Sequence, residues 1–185
     1  MKTQSISTVL SGYFTTTIQK GGEIYYLQAR DFDSNKKLIP TLQKLISKEK
    51  KSENHYLKKG DLLVLAKGVN FHAYIYDESF APAIASTAFL IIRINDKNHI
   101  LPEFLAWYIN QPQTQSNLKL KGKGTRFPAI NKSILSELEI PIVTIEKQQK
   151  IIEIDHLREK EKQLINKIQT IKDLQLNKIL LNFLQ

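Results

Sequence analysis

From Ile142 to Gln185 the chain contains neither glycine nor proline. These are the two residues that most disfavour a helix interior, glycine through backbone entropy and proline through its missing N–H. Thr144 can cap a helix N-terminus, and Glu146 stands in the first turn against the positive end of the dipole. The run predicts one helix from there to about Phe183, about 58 Å long at 1.5 Å per residue. Ile154, Leu157, Glu161, Leu164, Ile168 and Ile171 alternate spacings of three and four, which is a coiled-coil seam interrupted by Glu161. Beyond Ile171 the stripe drifts to Leu174 and Ile179. A single helix cannot bury such a seam on itself. It needs a partner or must fold back on its own body, and residues 1–145 are too few to cover that length.

Before Pro141 the grammar differs: short β-branched and aromatic runs alternate with Gly, Asn and Asp. Strands are predicted at Ile24–Ala29, at Leu62–Ala66 after the Gly60-Asp61 turn, at Ala73–Tyr76 and at Ala85–Ile94. Leu101, Phe104, Leu105 and Tyr108 form the stripe of an amphipathic helix ending near Asn110. Pro112 fits the first turn of a second helix. The lysine-rich stretch Asn35–Asn54 reads as a short helix with loops. The expected fold class is α+β: a mixed globular domain over residues 1–143, then a long helix over residues 144–185.

Composition narrows the function. With 42% hydrophobic and 24% charged residues the chain is globular. Its longest apolar runs, Leu62–Ala66 and Ala88–Ile92, fall far short of the roughly 20 residues that cross a bilayer. Met1–Ser5 leads into no apolar segment of a secretory signal. The absence of cysteine excludes disulfides and thiolate metal sites, and fits a cytoplasmic location. The net charge is +9 and the pI about 9.6. Residues 146–185 hold eight basic and six acidic side chains, so most of the excess lies on the body. Such a surface gains from displacing counterions condensed on nucleic-acid phosphates. A basic protein with no polyanion partner is the alternative.

Catalytic constellations are sparse. His55, His72, His99 and His156 are scattered, with no HExxH-like pair for a metal. There is no G-x-S-x-G elbow, phosphate-cradling G-x-x-x-x-G-K or Rossmann glycine triplet, and no Asn-Pro-Pro-aromatic run of an amino-methyltransferase. Glu49-Lys50-Lys51 matches the Glu-x-Lys half of a Mg²⁺-dependent nuclease, but in a polar, lysine-rich segment. No catalytic or metal-binding residue is expected otherwise.

Two basic loops stand out. Leu118–Phe127 carries Lys119, Lys121, Lys123 and Arg126 with two glycines that let the backbone approach a ligand. Lys and backbone N–H groups there can grip phosphates, Arg126 can read a guanine edge, and Phe127 can pack beneath the loop. Lys67-Gly68-Val69-Asn70-Phe71-His72, after the Leu62 strand, offers a cation, an amide and an aromatic. A solvated charged face is the alternative for both.

Several segments, weak singly, are specific in their order and spacing. They are Leu10-Ser11-Gly12-Tyr13-Phe14, Leu57-Lys58-Lys59-Gly60-Asp61-Leu62-Leu63, Ala85-Ser86-Thr87-Ala88-Phe89-Leu90-Ile91-Ile92-Arg93 and Leu101-Pro102-Glu103-Phe104-Leu105. Gly124-Thr125-Arg126-Phe127-Pro128-Ala129-Ile130, Leu138-Glu139-Ile140-Pro141-Ile142 and Glu146-Lys147-Gln148-Gln149-Lys150-Ile151 follow. With them the chain resembles the specificity (S) subunits of type I restriction–modification systems over nearly its whole length. Val143 stands where the family often has a second proline. Familiar members carry two recognition domains and two long helices, so this chain, with one of each, looks like a half subunit.

The resemblance implies a non-catalytic subunit that recognises double-stranded DNA and directs a methyltransferase (M) subunit, with a restriction (R) subunit as an optional further member, to a bipartite site. S-adenosylmethionine would belong to the M subunit and no cofactor to this chain. Lys67, Lys121, Lys123 and Lys132 are the expected phosphate ligands; Arg126, Asn70 and Asn131 are expected at base edges. Ile154, Leu157, Leu164, Ile168 and Ile171 would pair two copies antiparallel and offer a rod to the M subunit. A homodimer would read an interrupted palindrome. A stand-alone dimeric DNA-binding regulator, a small nuclease using Glu49 and Lys51, and a scaffold with incidental charge remain the rivals.

Overall fold

The structure, a computed structural model, describes residues 1–18, 21–33, 38–39, 42–48, 50–96, 98–124 and 128–183, with the side chains of Lys50 and Lys51 outside the description. The fold is α+β with a long C-terminal helix, and the chain divides into two compact units, Met1–Ile145 and Glu146–Gln185.

In the first unit the described strands are β1 (Ser7–Ser11), β2 (Ile24–Leu27), β3 (Lys44–Ile46), β4 (Leu62–Leu65), β5 (Ala73–Ile75), β6 (Ala83–Ala85) and β7 (Phe89–Ile94). They make an antiparallel sheet in the order β1-β7-β4-β5 and a smaller sheet in the order β3-β2-β6, in which β2 and β6 run parallel. Three helices follow: α1 (Pro102–Asn110), α2 (Pro112–Lys121) and α3 (Lys132–Ser136). Proline opens both α1 and α2, where its fixed φ suits the first turn. α1 packs on β5 and α3 on β1.

Strand β2 shows why its sequence is apolar on both parities. Ile24 and Tyr26 join Ile46 and Ile84 in one buried cluster, while Leu27 faces a second with Leu63, Tyr74, Phe89 and Ile91. A strand covered on both faces needs a continuous apolar run, not alternation. The two sheets meet at Gly12: its N–H donates to Phe89 O, that of Tyr13 to Ala85 O, and Tyr13 bridges Ser86. A Cβ on Gly12 would overlap the Ser86 carbonyl, so only glycine permits that approach.

Two expectations are corrected. The run Ala85–Ile94 is not one strand. β6 ends at Ala85 beside β2, the chain turns at Ser86, and β7 begins at Phe89 in the other sheet. Both halves are buried, so hydrophobicity alone does not mark the turn. The expected helix in Asn35–Asn54 is, where described, strand β3 and a 3-10 stretch Lys50–His55. Antiparallel pairing with β2 and burial of Ile46 outweigh the local helical pattern. β1 was not expected at all.

The second unit is α4. The helix runs Ile145–Asn182, with Thr144 at the N-cap position and Glu146 in the first turn. At 38 residues it is about 57 Å long. No helix among the described residues is long and apolar enough to cross a membrane.

Candidate nucleic-acid interface

The two basic loops, some 50 residues apart in sequence, are joined by a third segment. After β4 the chain turns at Gly68, whose φ of 126° is one that L side chains rarely adopt. Residues Pro128–Ile130 run between this turn and the end of α2. The Ile130 N–H donates to Ala66 O at 2.9 Å, and the Gly68 N–H to Pro128 O at 3.2 Å. On the other side Ala129 and Lys123 exchange both backbone hydrogen bonds, at 2.8 and 2.9 Å. Lys67 and Lys123 therefore each stand opposite Ala129 in antiparallel register. Directly opposed residues of an antiparallel ladder point to the same face, so two exposed lysines flank one methyl group. Their Cα atoms are about 10 Å apart by standard ladder spacings. Two cations on one face can hold an anion between them, and a small central side chain leaves it room.

The far end of the 67–70 loop is held by side-chain amides. Gln115, buried in α2, accepts from the Phe71 N–H at 2.8 Å and donates to the carbonyls of Phe71 and Ile109 at 3.0 and 2.8 Å. Asn110, at the end of α1, accepts from the Ala73 N–H and donates to the Ala73 carbonyl, both at 2.9 Å. β5 is the edge of its sheet. At residues 71 and 73 the two amides stand in for the missing strand, a use of side chains that also blocks edge pairing. Sequence reasoning missed them. An Asn and a Gln near predicted helix ends carry no mark of such a task.

Other expected residues fall out differently. Lys67, Asn70, Lys121 and Lys123 are exposed, Lys121 being the last residue of α2. Arg126 and Phe127 lie outside the described residues, as do Glu49 and the Lys51 side chain. Asn131 caps α3, its Oδ1 accepting the Ile134 N–H at 2.9 Å, which leaves only its Nδ2 as a donor outward. Lys132 is exposed and lines a cavity of about 170 Å³ with Ser11, Asn54, His55 and Arg93. Arg93 is held there by a fork to Asp61, at 2.9 and 2.6 Å, and by the Tyr56 carbonyl. The Asp61 carboxylate holds the Arg93 pKa above its ordinary value. Among the described residues no group of three or more His, Asp or Glu is placed to hold a metal ion.

On α4, Ile154, Leu157, Leu164, Ile168 and Ile171 are all exposed. From Leu174 onward Leu176, Ile179, Leu180, Leu181 and Phe183 extend the apolar surface.

A family model described as the type I restriction modification DNA specificity domain matches residues 9–173. No curated protein matches the sequence. Among solved structures, one from work on complex assembly and conformational transition of the type I R-M system aligns with a TM-score of 0.71 at 16% identity, over 97% of this chain and 42% of that one. The HsdS subunit from Thermoanaerobacter tengcongensis gives 0.62 at 18% identity, over 89% and 43%. The type I S subunit from M. genitalium gives 0.56 at 14% identity, over 86% and 38%. The chain thus spans about two fifths of the length of the structures it resembles.

Proposed function

The chain belongs to the family of type I restriction–modification DNA specificity domains, and on that premise we propose that it is a non-catalytic, sequence-specific DNA-recognition subunit. The observation that carries this reading is the pair Lys67 and Lys123, registered on one face about Ala129 within a body that bears most of the positive charge. Lys67, Lys121, Lys123 and Lys132 bind phosphates and fix the register of the body on the duplex; these contacts carry no sequence information. Asn70, three residues after Lys67 and exposed, reads a base edge, adenine being the base whose N6 and N7 suit an amide. Arg126 and the outward Nδ2 of Asn131 are the further base-reading groups.

The exposed seam of α4 pairs with a second copy of the chain and offers a surface to a methyltransferase subunit. A two-fold pair presents its two bodies to an interrupted palindrome. Methyl transfer from S-adenosylmethionine to adenine is the work of that partner, in the cytoplasm; a restriction subunit is an optional third member. Co-expression with candidate methyltransferase subunits of the same genome tests this reading, with light scattering for stoichiometry and mapping of methylated bases in host DNA. A symmetric, gapped motif that appears only with this chain is the expected result. An unchanged methylation pattern together with a monomer at high concentration overturns it.

A further inference from the structure

Val69 and Leu120 are large aliphatic side chains exposed at 65% and 85%. Val69 lies two residues from Lys67 and Leu120 three from Lys123. Val69 follows Gly68, whose N–H donates to Pro128 O. Leu120 precedes Gly122 by two residues, where an added Cβ would sit 3.2 Å from the Pro128 Cβ. Val69 adjoins Asn70, and Leu120 lies between Lys119 and Lys121. An apolar tip in water gains nothing, and an apolar protein partner at this place would have to desolvate the surrounding ammonium groups. A polyanion offsets that cost with its own opposite charge. On duplex DNA one apolar group is offered to such a surface beside the base-edge donors and acceptors: the C5-methyl of thymine in the major groove.

We propose that Val69 and Leu120 are specificity-determining residues that read thymine through its methyl group. The inference rests on the DNA-recognition reading above and adds the chemistry of what is read. Lysines on either side hold the backbone while the two aliphatic tips enter the groove, so a base pair is selected by a buried methyl and not by a hydrogen bond alone.

Replacing thymine by uracil removes that methyl and leaves every hydrogen-bonding group in place, which isolates the effect. The probe is a duplex carrying the motif methylated in cells that co-express the chain with its methyltransferase subunit, together with versions in which each thymine in turn becomes uracil. The assembled complex is expected to bind at least one uracil version roughly fourfold more weakly per methyl lost. Val69→Ser or Leu120→Ser is expected to lower affinity for the thymine duplex to that of the uracil duplex and leave the latter unchanged, while Leu120→Met retains the preference. Uracil duplexes bound as tightly as thymine ones overturn the inference, as do serine variants that weaken both equally. So does loss of the methyltransferase subunit from the Leu120→Ser complex with thymine preference intact, which makes the surface a protein contact. If no motif is methylated and no duplex is preferred over random DNA, the recognition reading itself fails and takes this inference with it.

Discussion

Gln115 gives Phe71 both of the hydrogen bonds that a neighbouring strand would give it, one accepted and one donated, from a helix 44 residues further along the chain. The consequence is mechanical. α2, which ends in Lys121, and the loop that carries Lys67 and Asn70 are held as one piece. Gln115→Leu fills similar space but leaves the Phe71 N–H and C=O buried without partners. Each such orphan costs about 1–3 kcal/mol. Urea unfolding should show a loss of about 2–6 kcal/mol at unchanged m-value, and amide exchange at residues 68–71 should accelerate.

The fork between Arg93 and Asp61 joins β7 to the turn before β4, with Asp61 only 2% exposed and its Oδ2 also accepting the Lys58 N–H at 2.8 Å. Arg93→Met strands a buried carboxylate and should cost about 3 kcal/mol, the low end for such pairs because Arg93 is partly exposed. Adding Asp61→Asn to it should cost less than the sum of the single losses, measured by a double-mutant cycle in chemical denaturation.

Burial, and then the charges of Glu78, Asp77 and Asp61, push the Tyr76 hydroxyl up to about 12 from its ordinary 10.0. The unfolded chain therefore loses this proton first. The stability it confers is complete below about pH 10 and is lost as pH rises from about 10 to about 12. Its O–H donates to the Phe80 carbonyl, so Tyr76→Phe should lower stability at neutral pH by about 1 kcal/mol. The same variant should decline less steeply above pH 10. Some decline remains, because burial also raises Tyr26 and Tyr74. Thermal melts across that pH range check the slope.

For the proposed DNA contact, Lys67→Gln and Lys123→Gln should each weaken binding across all sequences. Each should also reduce the slope of log affinity against log salt by about 0.9. Asn70→Ala should leave the slope intact and relax the preference at one base pair. Fluorescence titrations at several salt concentrations separate the two classes.

Pairing through α4 predicts that Leu164→Glu with Ile168→Glu, both at exposed seam positions, converts a dimer to a monomer in light scattering. Helical content should fall with it, because a long helix without a covered apolar face draws little stability from propensity alone.

Much of the fold could be read directly. The glycine- and proline-free run became α4 within about a residue of each expected end, and Pro102 and Pro112 opened the two helices that follow β7. β2, β4 and β5 matched their runs closely. These are local signals, each contained within a few turns or a single strand. Of the candidate site, only the lysines stood out in the sequence. That Lys67 and Lys123 share a face depends on Ala129, and the loop's anchorage depends on Asn110 and Gln115. β3 in place of a helix, and the break at Ser86, had the same origin in partners far along the chain.

By itself, then, the order of residues determined where helices start and stop, which runs must be buried, and that the body is basic, since spacing, propensity and charge are properties of neighbours. Which lysine faces which, and which amide substitutes for a strand, was decided only when distant segments met. Those contacts join backbone groups that nearly every residue owns to one another or to amide side chains common elsewhere in the chain, so no local pattern announces them before the chain has closed.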